Sequence, residues 1–211
     1  MPPLVKSSRT PGGLIMSCRL AYYLITIAMV SVVCCIQTAS ANLITFDSLT
    51  GNNSDSFSST VENGYLVTAL TNGWREAHSN GNGAPSIFSA GDNEQIEIVG
   101  GFFQLLSFET DDAAISEGTS SASYNIDGFL NGSLVLSGSG AVSPEFQVNL
   151  SPDPDQTLDR LLITFDAGST SSYNIDNIQL RAVPEPSSLL MILGIGLTML
   201  VRRQRDAIFG T

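Results

Sequence analysis

Few side chains between the two hydrophobic ends of this chain are equipped for chemistry, and their spacing narrows the choice. His78 is the only histidine, and the cysteines, Cys18, Cys34 and Cys35, all fall in the N-terminal region. A histidine-based triad would have to use His78, and neither a G-x-S-x-G elbow nor an H-E-x-x-H zinc helix occurs. Carboxylates are plentiful, so a carboxylate pair for glycoside hydrolysis stays open as a class. Asp47 closes the first strand-like run, and Asp176 lies in the last, within Tyr173-Asn174-Ile175-Asp176-Asn177-Ile178. Carboxylate and amide oxygens are the donors that calcium takes. Asp47 and Asp176 therefore form a candidate divalent-cation site joining the two ends of the domain. The alternative for Asp176 and Asn177 is capping through turn hydrogen bonds. Trp74, the only tryptophan, sits in Thr71-Asn72-Gly73-Trp74-Arg75-Glu76. It is a candidate glycan-binding platform, with a core plug as the other use of so large a side chain. Asp111-Asp112 and Asp153-Pro154-Asp155 read as solvated turns, and His78 as a loop residue.

The elements that must position these residues read as strands. From Asn42 onward, short alternating runs rich in Val, Ile, Thr, Phe and Tyr are broken by Gly, Asn, Ser and Pro. The runs are Leu43–Asp47, Tyr65–Leu70, Glu94–Val99, Phe102–Glu109, Ser121–Phe129, Ser133–Ser137, Glu145–Leu150, Leu161–Asp166 and Tyr173–Leu180. Asn131-Gly132 between two of them is a strong hairpin signal. In Phe102–Glu109, one face carries Phe102, Gln104, Leu106 and Phe108, the other Phe103, Leu105, Ser107 and Glu109. No stretch here has helical periodicity. The fold class is all-β, a two-sheet β-sandwich of jelly-roll type. Leu43-Ile44-Thr45-Phe46-Asp47 recurs at 162–166 and Ser123-Tyr124-Asn125-Ile126-Asp127 at 172–176. The unequal offsets argue for convergent strand chemistry rather than a repeat.

The two ends have another character. Leu20 to Ile36 is almost wholly apolar and is followed by Gln37-Thr38-Ala39-Ser40-Ala41. That order predicts a signal peptide over 1–41, cut by signal peptidase after Ala41 with Ala39 as the other small residue. Met16 is an alternative start. At the C-terminus, Pro184-Glu185-Pro186 precedes an uncharged apolar run, Leu189 to Val201, and then Arg202-Arg203-Gln204-Arg205. The prolines keep the backbone extended. The run is shorter than the roughly 20 residues of a comfortable span, a gap that bilayer thinning or snorkelling arginines make up. Arg202, Arg203 and Arg205 mark its cytoplasmic end. The exported domain then covers 42–183, the membrane helix with its flanking signals 184–205, and a short tail 206–211.

This three-part order resembles the PEP-CTERM sorting signal of Gram-negative bacteria that make extracellular polysaccharide. The resemblance implies that exosortase, a membrane transpeptidase, acts at or near Pro184, Glu185 and Pro186 and releases or transfers the protein. Departing from that pattern, the chain continues past the arginines with Asp206 to Thr211. The last strand-like run also resembles the terminal strand of jelly-roll carbohydrate-binding modules, where an aspartate can join a structural calcium site. Charge limits the partners. Between Asn42 and Pro186, nineteen acidic residues face only Arg75, Arg160 and Arg181, a net charge of −16. Such a surface argues against nucleic acid, whose phosphates need cationic partners, and permits neutral glycans and divalent cations. With no cysteine in this segment, disulfide and thiolate chemistry is absent. The expectation is a non-catalytic exported protein, transiently anchored in the inner membrane and then at the outer surface or outside, in contact with extracellular polysaccharide or a biofilm matrix. A glycan-acting hydrolase and a permanently anchored adhesin are the alternatives.

Overall fold

Alternating burial organises the described residues into β-structure throughout. A computed structural model describes residues 41–79, 85–89, 91–112, 121–168 and 172–184. Among these residues lie eleven strands: β1 Ala41–Ile44, β2 Ser59–Glu62, β3 Tyr65–Ala69, β4 Arg75–Ala77, β5 Ser86–Ser89, β6 Asp92–Asp111, β7 Ser123–Leu130, β8 Ser133–Ala141, β9 Gln147–Leu150, β10 Leu158–Asp166 and β11 Tyr173–Ala182. No helix among the described residues is long and apolar enough to cross a membrane; the run Leu189 to Val201 lies outside them.

The architecture turns on β6. Its first half pairs with β3 and β10, its second half with β11 and β9. One strand thus runs through both layers of a sandwich, and hydrogen bonding is continuous through all eleven strands. The change of layer falls at Gly100-Gly101. Gly101 has φ +64°, a left-handed value that side-chain-bearing residues avoid. A Cβ on Gly100 would lie 2.7 Å from the Gly64 carbonyl oxygen. The first sheet runs β2-β3-β6-β10-β7-β8. In the second, β11 lies between β6 and the short β1 and β5, with β4 beyond β5 and β9 on the far side of β6.

Inward side chains of both sheets meet in one aromatic-rich core. Phe165 of β10 stacks on Tyr173 of β11 at 4.7 Å between centroids, and Phe108 of β6 meets the Tyr124 edge at 5.0 Å. Tyr124 also approaches Phe165, so the two Ser-Tyr-Asn-Ile-Asp strings converge on one ring from β7 and β11. Among the described residues every buried apolar one falls between Ile44 and Leu180, within the compact unit Ala39–Pro184. That unit therefore holds the aromatic-rich core.

The Asn131-Gly132 turn joins β7 to β8 as expected, with both residues at positive φ. Asn63-Gly64 does the same between β2 and β3. Glu94–Val99 and Phe102–Glu109 are one strand, and β2, β4 and β5 are additions to the expected set. The expected faces of Phe102–Glu109 hold only as far as Leu105. The β6–β11 register then shifts at Leu106, between the pairs Leu105↔Leu180 and Ser107↔Gln179, and Phe108 joins Phe103 and Leu105 in the core; a second shift, on β11, lies near Asn177, itself at φ +46°. A bulge inverts the alternation beyond it.

Candidate functional site

The bulge on β11 leaves a continuous row of polar side chains on the outer face of the second sheet. Tyr173, Ile175, Ile178 and Leu180 point into the core, so Asn174, Asn177, Gln179 and Arg181 point away from it. Each pairs with a polar side chain of β6. The Asn174 amide nitrogen donates to Asp111 at 2.5 Å and that of Asn177 to Glu109 at 2.9 Å. The Ser107 hydroxyl donates to Gln179 at 3.3 Å, and the Arg181 guanidinium to Gln104 at 2.5 Å. Four side-chain pairs thus climb the β6–β11 seam. On its flank, register places Val148 of β9 beside Glu109 and Leu150 beside Ser107. Val148 is 51% exposed and Leu150 76%. At the other side, Phe88 of β5 lies opposite Asn174 and is half-buried.

The electrostatics vary along the seam. Burial pushes the Asp111 carboxyl above its ordinary range, opposed by its hydrogen bonds to Asn174 and reinforced by the charge of Asp112. Asn174 is 1% exposed, and its amide oxygen has no hydrogen-bond partner among the described residues. Asp112 and Asp176 are likewise buried. The expected solvated turn at Asp111-Asp112 is therefore corrected: it is the half-sunken end of β6. Asp153-Pro154-Asp155 is a turn, with the Asp155 N–H on Asp153 and its carboxylate 2.8 Å from Arg181.

Two of the residues expected to bind sit elsewhere. Trp74 is 0% exposed, and its indole N–H donates to the Gln95 carbonyl at 3.1 Å. Its ring abuts Phe165 and Tyr173 at 5.7 and 5.8 Å. No face of the indole is open to a sugar, so Trp74 is the plug and not the glycan platform. Asp47 is exposed beyond the end of β1, whereas Asp176 is buried with one carboxylate oxygen on the Asn177 N–H. Among the described residues no group of three or more His, Cys, Asp or Glu is arranged to hold a metal ion. His78 bonds Glu76 at 2.8 Å through its ring and Asn53 through its N–H, which makes it a loop fastener.

Sequence reasoning passed over the outer seam. Its signal was the alternation of amides in Asn174, Asn177 and Gln179, but the parity of that strand depends on the bulge at Asn177. Ala41 and Pro184 are exposed at the ends of the domain, while Ala39, Glu185, Pro186, Arg202, Arg203 and Arg205 lie outside the described residues.

No curated protein matches the chain. Among solved structures it is similar to CBM29_1, a family 29 carbohydrate binding module from Piromyces equi. That similarity has a TM-score of 0.42 and 10% identity, covering 69% of this chain and 92% of the other. It is also similar to the CBM22-1 xylan-binding domain from Paenibacillus barcinonensis Xyn10C, with TM-score 0.39, 12% identity and coverage of 70% and 95%. A third is the family 32 module from C. perfringens NanJ in complex with galactose, with TM-score 0.39, 11% identity and coverage of 66% and 99%. The C-terminal order of Pro-Glu-Pro, apolar run and arginines answers to a family model: residues 182–205 carry a PEP-CTERM protein-sorting motif.

Proposed function

We propose that the chain is a non-catalytic exported protein that binds extracellular polysaccharide through the outer face of its second sheet. Its sorting tail delivers it to the envelope, where the C-terminal helix anchors it transiently until exosortase acts. Signal peptidase acts earlier, after Ala41. The observation that carries the binding role is the seam of paired amides, carboxylates and hydroxyls along β6 and β11, flanked by Val148 and Leu150. Planar amide and carboxylate groups present donors and acceptors in fixed directions, as sugar hydroxyls require. The exposed apolar pair beside them suits the C–H faces of a sugar ring.

Retardation of the Ala39–Pro184 unit in gels containing neutral polysaccharides tests the reading. Saturable retardation that weakens about tenfold in Asn177→Ala, a loss of ~1.4 kcal/mol, is the expected result. Equal migration in every gel would overturn it. Release of reducing ends, abolished by Asp111→Asn, would instead identify a glycoside-cleaving enzyme; the raised Asp111 carboxyl is the one feature on this face that favours that second reading.

A further inference from the structure

Among the described residues strand β8 ends the first sheet and pairs only with β7, so one row of its backbone donors and acceptors faces outward. Proteins ordinarily blunt such an edge with charge, proline, a bulge or cover. From Ser133 to Ala141 there is neither a charge nor a proline, and Leu134 and Val135 are 55% and 38% exposed. The one irregularity lies at Val135, beyond which Leu136 to Ala141 run in regular register. The whole stretch from Gly128 to Pro144 is uncharged, within an exported segment of net charge −16.

We propose that β8 is a self-association edge, pairing antiparallel with β8 of a second copy about a two-fold axis at Ser137. The sequence of the strand fits itself in that register. Leu136 falls opposite Gly138, so the bulky residue of the regular stretch meets a small one, Ser137 meets Ser137, and the bulge at Val135 marks the end of the paired stretch beside Ser139. A second copy is also the occupant that the charge distribution favours. Acidic copies repel over most of their surface, and this uncharged strand brings them together with no like charges opposed. A cationic partner would find no carboxylate on the strand itself. One strand pair buries less than the roughly 1,000 Å² expected of a stable interface, so the dimer is a reversible one.

The test uses the Ala39–Pro184 unit, a compact unit that holds the aromatic-rich core and no cysteine. Sedimentation velocity should show monomer giving way to dimer as concentration rises, and more so at high salt, where repulsion is screened. Ser139→Glu should abolish the dimer without lowering the melting temperature. Under mild oxidation Ser137→Cys should give a disulfide dimer, because residues directly opposite in antiparallel strands have Cα atoms about 4.5–5.5 Å apart. Ser139→Cys should not. Monomer at all concentrations overturns the proposal. So does an assembly that Ser139→Glu leaves intact, or one in which Ser137→Cys and Ser139→Cys crosslink alike.

Discussion

Two buried side chains show most plainly how residue chemistry shapes this domain. Trp74 packs on Phe165 and Tyr173 with its N–H satisfied, so it closes the core rather than meeting ligand. Trp74→Ala should cost about 3–5 kcal/mol, as for other buried aromatics, measured by urea unfolding. Because Trp74 is the only tryptophan, its emission should be blue-shifted and unchanged by polysaccharide. Asp111 carries a prediction in pH. Folding raises its carboxyl pKa, chiefly through burial. The fold therefore favours the protonated acid, and stability falls as pH rises from the ordinary carboxylate range through the folded pKa. Asp111→Asn keeps an acceptor for Asn174 and removes that loss. Its melting temperature should exceed the native one above this window and match it below.

Strands and turns hold these residues by a few local devices. Glu62, at the end of β2, accepts from the Thr45 N–H at 3.1 Å, the Thr45 hydroxyl at 2.8 Å and the Phe46 N–H at 2.9 Å. That clamp holds the chain after β1, where Phe46 adopts φ +59°. Glu62→Ala should destabilise by about 2–3 kcal/mol, since hydrogen bonds to a charged group are the strong ones; thermal melting checks it. Gly100→Ala should cost about 1–3 kcal/mol through the clash with the Gly64 carbonyl. Much of this scale was legible in the sequence. Runs such as Leu161–Asp166 alternate over enough residues to declare a half-buried strand, and Asn131-Gly132 declares its turn. The three-residue β4, Arg-Glu-Ala, is too short to show a period. The parity of β11 beyond Asn177 follows from a bulge that only pairing with β6 reveals. The seam Gln104–Arg181 to Asp111–Asn174 was therefore hidden, although every residue in it was in view.

At the scale of the molecule, a β-sandwich and a sorting tail do separate jobs. The tail was legible because its function lies in the order of Pro-Glu-Pro, apolar run and arginines, which needs no partner strand to interpret. The proposed binding face was not, because it exists only when β6, β9 and β11 lie side by side. Glu185→Ala, or deletion after Pro186, should change the mature mass or the fraction in which the protein is recovered. Identical mass and fractionation for both variants would rule out the sorting reading. The measurement that bears most directly on the binding face is an NMR titration of the Ala39–Pro184 unit with fragments of a neutral polysaccharide. The account predicts saturable shifts concentrated on Ser107, Glu109, Asn177, Gln179 and Val148, with Trp74 unaffected. Shifts confined to the loops around Trp74 and His78, or none with any fragment, would contradict it.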